Sequence, residues 1–192
     1  MITLAVDAMG GDAGLEVTVP GAIAFLQQKT DVRLMMVGDE SQVKSALTAA
    51  QAPMDRIDII HASQVVEMDE APQLALKNKK DSSMRVAINQ VKEGQAQAAI
   101  SAGNTGALMA TARFVLKTIP GIERPAIAKF LPSQGNHMTL MLDLGGNVDC
   151  TPDQLVQFAV LGGELVHALY PDRGQPRIGL LNVGTEDIKG TD

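Results

Sequence analysis

Residues 2–12, Ile2-Thr3-Leu4-Ala5-Val6-Asp7-Ala8-Met9-Gly10-Gly11-Asp12, run an apolar stretch straight into a glycine turn. The stretch is almost continuously apolar rather than alternating, which is the pattern of a strand covered on both faces. Gly10 and Gly11 permit a sharp turn and close backbone approach just past the strand. Further short apolar runs at 33–37, 57–60, 98–100, 126–131, 139–142 and 178–181 read as strands of the same kind. Amphipathic stretches lie between them. Residues 84–93 place Met84, Ala87, Ile88 and Val91 on one helical face and stop at Gly94, while 107–116 and 154–169 read as two further helices. Asp39 with Gln42, and Thr151 with Gln154, have capping-box spacing, and Pro152 suits a first helical position. Strand and helix in alternation predict an α/β, doubly wound, mostly parallel sheet with helices on both faces. Residues 1–192 are taken as a single α/β domain.

Composition narrows the function. Sixteen Lys+Arg against 22 Asp+Glu leave a net charge of −6, contrary to the positive surface that duplex nucleic acid requires. Aromatics are 3% of the chain and Trp is absent, so stacking platforms for single strands are not expected either. The one cysteine, Cys150, excludes an internal disulfide and fits a reducing cytosol. No apolar stretch approaches the roughly 18 residues of a membrane span, and a soluble cytoplasmic protein is expected. The segment 65–83 is polar, weakly patterned and contains Pro72, so it is expected to be a mobile lid.

Candidate chemistry gathers at predicted strand ends, where open α/β sheets bind ligands. Asp7, Gly10, Gly11 and Asp12 follow the first strand; the alternative is a plain strand-to-helix turn, and the spacing is not that of a dinucleotide fingerprint. Ser101, Gly103, Asn104, Thr105 and Gly106 precede the helix 107–116. Small residues and hydroxyls at a helix N-terminus suit an anion, and the competing reading is a cap by Asn104 or Thr105. Lys80, Ser82 and Ser83 form a second donor cluster, or a solvated helix entry. Arg124 could clamp a phosphate or join an exposed ion pair. Asp143, Asn147 and Asp149 could bind Mg²⁺ with water or simply form a turn, and no metal is assigned. Asn182, Glu186 and Lys189 follow the last predicted strand; Lys189 could steady an oxyanion or lie idle on the surface. His61, His137 and His167 have no zinc spacing, and neither a nucleophile elbow nor a Walker loop is present. Asp149 beside Cys150 disfavours a reactive thiolate.

The strings D-A-M-G-G-D, S-S-M-R-V-A, S-A-G-N-T-G-A-L-M, E-R-P-A, L-D-L-G-G-N-V-D-C and L-L-N-V-G-T-E-D-I-K-G, in this order, closely resemble the bacterial phosphate acyltransferase (PlsX) family across residues 2–190. The resemblance implies a fold like that of phosphotransacetylase and isocitrate dehydrogenase. It implies synthesis of fatty acyl phosphate from acyl-[acyl carrier protein] and inorganic phosphate, the first step toward phospholipids, without a cofactor. Homodimers with peripheral membrane association are the implied assembly. Leu15, Gly146 and Lys77 stand where the family has proline, alanine and arginine. Family chains continue past Gly190, so the sequence reads as an N-terminal portion, expected to expose an apolar patch, self-associate and have little activity.

Phosphate attacking a thioester needs no protein nucleophile, only orientation of a dianion and stabilisation of a tetrahedral oxyanion. On that logic Ser101, Asn104 and Thr105 hold phosphate with Lys80, Ser82, Ser83, Gly103 and Gly106. Arg124, Asn182 and Lys189 form the catalytic set, and Asp7, Gly10, Gly11, Asp12, Asp143, Asn147, Asp149 and Glu186 orient the loops. The alternatives are a phosphotransacetylase-like enzyme using acyl-coenzyme A, a metal- and NAD-dependent decarboxylating dehydrogenase, and an inactive domain that only binds phosphate or carrier.

Overall fold

A computed structural model describes residues 1–134, 138–147, 149–182 and 184. The chain divides into two compact units, Met1–Ile119 and Pro120–Asp192.

In the first unit β1 (Ile2–Asp7), β2 (Val32–Gly38), β3 (Ile57–His61) and β4 (Ala98–Ile100) form one parallel sheet in the order β3-β2-β1-β4. Register pairs Val6 with Met36 on one side and with Ile100 on the other. The chain therefore builds outward from β1 to β3, then returns to lay β4 on β1's free edge. This reversal makes the β1/β4 boundary the switch point, where an open α/β sheet leaves a crevice beyond its carboxyl ends.

Helices cover both faces because adjacent strand residues point to opposite sides. Leu34 and Met36 pack with Val19, Ala22 and Leu26 of α1 (Leu15–Gln28) and Val43 and Leu47 of α2 (Glu40–Ala49). Ala5 and Val37 join Ala87 of α4 (Ser83–Lys92) on the other side. A further cluster unites α3 (Pro72–Asn78), α4 and α5 (Thr105–Leu116) through Ala75, Met84, Ile88, Ala107 and Val115.

The segment 65–83 is not the weakly anchored lid that its polarity suggests. It contains α3, and Val66 and Ala75 are buried in the α4–α5 cluster. Lys79 Nζ donates to the Val65 carbonyl at 2.6 Å and pairs with Glu70 at 2.6 Å. Two apolar anchors nine positions apart make no helical stripe, so periodicity misses them.

The second unit departs further from expectation. Here β5 (Ala128–Pro132) and β6 (Met138–Leu142) pair antiparallel with each other rather than entering a parallel sheet. Apolar composition does not encode strand direction. Residues 178–181 form no strand, and Ile178, Leu180 and Leu181 are exposed. Helix α6 (Pro152–Leu169) starts on the full reciprocal capping box of Thr151 and Gln154, and its Gly162 lets the Leu142 side chain approach closely. At α2 only half of the expected box forms: Asp39 accepts from the Gln42 N–H at 2.9 Å.

Candidate functional site

The β1/β4 switch point carries a tightly built polar cluster. Asp7 ends β1 and is 1% exposed. Ser101 follows β4, one register step beyond the Val6–Ile100 pair, and its hydroxyl donates to Asp7 Oδ2 at 2.7 Å. The Gly103 N–H in turn donates to Ser101 Oγ at 3.0 Å. Asp7 thus holds Ser101, which holds the loop entering α5. Glycine at 10 follows from this contact. A Cβ there would press into the Asp7 carboxylate and reach Ser101 Oγ at 3.1 Å. At 103 a Cβ would meet Met84 Cε at 3.1 Å. Gly11, at φ +90, passes so near Ala102 that a Cβ would lie 3.0 Å from its carbonyl oxygen. The two loops are packed backbone to backbone. Asp7 Oδ1 and Ser83 Oγ, both buried, have no hydrogen-bond partner among the described residues.

Asn104 takes the capping role. Its Oδ1 accepts the Ala107 N–H at 3.0 Å, closing the first turn of α5. Its amide donates to three carbonyls, those of Glu67, Met68 and Glu70, at 3.3, 3.0 and 2.8 Å. The side chain is therefore committed on both ends and ties the 67–70 loop to the helix start. No local sequence pattern signals this contact, which spans more than 30 residues. Thr105 and Gly106 remain exposed at the first helical positions. A groove of about 430 Å³ is lined by Met9, Gly11, Asp12 and residues 65–69, part of the loop that Asn104 ties down.

The neighbouring donor cluster is mostly occupied with its own fold. Ser82 caps α4, accepting the Arg85 N–H at 3.3 Å and donating to the Lys79 carbonyl at 2.9 Å. Lys80 is exposed. Asp81 accepts from the Ser63 hydroxyl and N–H, and these bonds hold its carboxyl below the ordinary aspartate range. The Lys79 hydrogen bond does the same to Glu70.

In the second unit Arg124, Asp143, Asn147 and Asp149 come together around Cys150. Asp143, at φ +62, accepts from the Asn147 N–H at 3.1 Å and from its amide at 2.9 Å. Asn147 also donates to the Pro125 carbonyl at 3.1 Å, and Arg124 reaches the Asp149 carbonyl at 3.4 Å. The Cys150 thiol lies 3.4 Å from Asp143 Oδ2. Burial first, then the Asp143 carboxylate, push that thiol's pKa up. This is a packed thiol held protonated, contrary to a nucleophile. Asn182 is exposed outside any element, and Glu186 and Lys189 lie outside the described residues. Among the described residues no cluster of ligands suits a metal ion, and no helix is long and apolar enough to cross a membrane.

Residues 2–192 match the family described as fatty acid synthesis protein. The phosphate acyltransferases of Neisseria meningitidis serogroup C and Chromobacterium violaceum are 81% and 65% identical to the chain over 192 residues. Each match covers 100% of this chain and 55% of the relative, so the chain spans about half the length of the curated relatives it matches. Among solved structures, a phosphotransacetylase from Streptococcus pyogenes superposes with a TM-score of 0.64 at 17% identity, over 88% of this chain and 54% of that one. The EutD phosphotransacetylase from Staphylococcus aureus gives 0.59 at 18% identity, over 86% and 52%. At these identities the likeness concerns the fold, and it agrees with the doubly wound expectation.

Proposed function

From a chain that belongs to the fatty acid synthesis protein family, we propose that the protein transfers an acyl group from acyl-[acyl carrier protein] to inorganic phosphate, releasing acyl phosphate and the carrier thiol. The single observation that carries this reading at the site is the Asp7–Ser101–Gly103 chain of hydrogen bonds, which presents the start of α5 at the switch point.

Phosphate enters at that helix start. The exposed first turn offers backbone N–H groups and the positive end of the helix dipole, and the Thr105 hydroxyl adds a donor. Asp7, Gly10, Ser101 and Gly103 keep this cradle in place, and Asn104 positions it by capping the helix and fixing the 67–70 loop. A phosphate oxygen attacks the thioester carbonyl, and the tetrahedral oxyanion collapses with loss of the thiolate. No protein nucleophile is required, in keeping with a Cys150 held as a thiol. Arg124 and Lys189 are proposed to neutralise charge in the transition state, with Asn182 as a neutral hydrogen-bond donor and Lys80 as a further cation for phosphate. Ser82 gives its hydroxyl proton to the Lys79 carbonyl and Ser83 is buried, so both support the loop rather than donate to phosphate. Asp12, Asp143, Asn147, Asp149 and Glu186 orient the surrounding loops. The same reading carries a cytoplasmic homodimer with peripheral membrane association.

The test is phosphate-dependent thermal stabilisation of the chain, compared with sulfate and chloride at equal ionic strength. Thr105→Ala should raise the phosphate concentration needed, by the loss of about 1–3 kcal/mol expected for a hydrogen bond to a charged group. Equal stabilisation by sulfate and phosphate, unchanged in Thr105→Ala, rejects the site. Acyl phosphate formation, assayed in the chain extended to its relatives' length, tests the reaction itself.

A further inference from the structure

At the far end of α5 three apolar side chains face solvent: Phe114 (53% exposed), Leu116 and Ile119. Two cations lie over the Phe114 ring, the Arg85 guanidinium carbon 5.2 Å and Lys117 Nζ 4.8 Å from its centroid. Arg113 sits in the same last helical turn. None of the three makes an ion pair among the described residues, where the bridges are Arg33–Asp58 and Lys79–Glu70. Arg85 Nε is buried without a hydrogen-bond partner among them.

Holding like charges together costs Coulomb energy, which the negative face of the ring only partly offsets. Here it happens on a chain of net charge −6, so this end of α5 stands out from the average surface. An aromatic side chain ringed by cations is the composition of an interface centre with a steering rim, and its complement is a surface rich in carboxylates. An anionic membrane fits less well. Polybasic lipid contacts use clusters of about four to eight cations, and the net negative charge of the chain opposes approach to such a surface.

We propose that this end of α5 is a docking surface for an acidic protein, with Phe114 as the apolar anchor and Arg113 and Lys117 as the steering charges. The partner's identity rests on the acyl-transfer reading: it is the carrier protein that presents the acyl thioester. The helix itself links the two functions. From Thr105 to Phe114 the helical rise is about 14 Å, a span that the extended prosthetic arm of a carrier can cover to reach the phosphate cradle.

Fluorescently labelled acyl carrier protein is titrated into the wild-type chain, Phe114→Ala and the double variant Arg113→Glu/Lys117→Glu, at low and high salt. Circular dichroism checks folding, and Arg113→Gln and Lys117→Gln serve if the reversal variant does not fold. The wild type should bind with an affinity that falls as salt rises, the reversal should weaken binding at least tenfold, and Phe114→Ala should weaken it at either salt. Wild-type affinity in the reversal variant, no binding by the wild type, or binding confined to anionic vesicles overturns the proposal. Acyl phosphate assays at the relatives' full length separate the two readings. Product formation with unchanged carrier KM in these variants rejects the docking surface alone, whereas patch-dependent binding without product rejects the acyl-transfer reading alone.

Discussion

The loop after β1 and the turn after β6 look alike in composition. One reads Asp7-Ala8-Met9-Gly10-Gly11-Asp12, the other Asp143-Leu144-Gly145-Gly146-Asn147. Their carboxylates nevertheless do different work. Asp7 has ordinary extended backbone, is buried, and binds a hydroxyl 94 positions away. Asp143 takes a positive φ and binds groups four and seven positions away, Asn147 and Cys150. The first is a stitch between parallel strands at the switch point. The second is a turn that satisfies itself. A carboxylate beside two glycines is thus not a function; what it reaches decides.

Substitutions should separate the two. Gly10→Ala carries the largest expected effect, because the new methyl must displace a buried carboxylate and the Ser101 hydroxyl. Overpacking of this kind costs about 1–3 kcal/mol, and the upper end is expected here. Gly145→Ala provides the contrast: nothing lies within 4 Å, so only the left-handed backbone is strained, at about 1–2 kcal/mol. Urea unfolding of both would erase the distinction if their losses were equal.

Removing the carboxylates comes next. Asp7→Ala leaves the half-buried Ser101 donor without its acceptor and should lower stability by about 2 kcal/mol, while Asp7→Asn keeps an acceptor and should lose less. In Asp7→Ala the phosphate-dependent stabilisation should also fall, since the α5 entry loses its tether. Asp143→Ala should cost about 1 kcal/mol and reduce phosphate-dependent stabilisation less than Asp7→Ala does, because its bonds are local.

Cys150 supplies a pH-dependent readout of the second turn. Its thiol pKa is raised in the fold, so the folded chain holds that proton more tightly than the unfolded one. The resulting stability is present below the unfolded thiol's pKa, near 9.0, and is lost as pH rises through the folded value. Asp143→Ala should flatten this alkaline loss and speed alkylation of Cys150 at pH 8. An alkylation rate equal to that of the parent would separate the thiol from Asp143.

The smallest effect belongs to the 65–70 loop. Glu70 is held below its usual 4.5 by the Lys79 hydrogen bond, then by the Glu67 N–H. A lowered carboxylate stabilises above its unfolded pKa and loses that contribution as pH falls through the folded one. Glu70→Gln should therefore lose a little stability at pH 7, shallow the acid limb of the stability profile below about pH 4.5, and converge with the parent at low pH. An acid limb identical to the parent's would show that the pair adds nothing.

Much of the first unit was legible in one dimension. Continuous apolar runs placed β1 to β4 as strands of a covered parallel sheet, since both faces of such strands must avoid water. Periodicity placed α4, and the Thr151–Gln154 spacing placed the start of α6, because a capping box is satisfied within a few residues. Glycines and hydroxyls before α5 marked a helix entry that could take an anion. These are local rules, and local rules survive without coordinates.

Tertiary structure alone decided the rest. The order β3-β2-β1-β4 brings residues 7 and 101 together, and no pattern in either loop names the other. Asn104 could have bound a ligand or capped a helix; the Ala107 N–H and three distant carbonyls settle its commitment. The polar stretch 65–83 became anchored because Val66 and Ala75 found partners on α4 and α5, while Lys79 tied the stretch to itself through Val65 and Glu70. The antiparallel pairing of β5 and β6, and the exposed course of 178–181, likewise lay beyond composition. Apolarity selects burial, and a capping residue selects a helix end. Which strand lies beside which, and in what direction, is chosen by contacts summed over the whole fold.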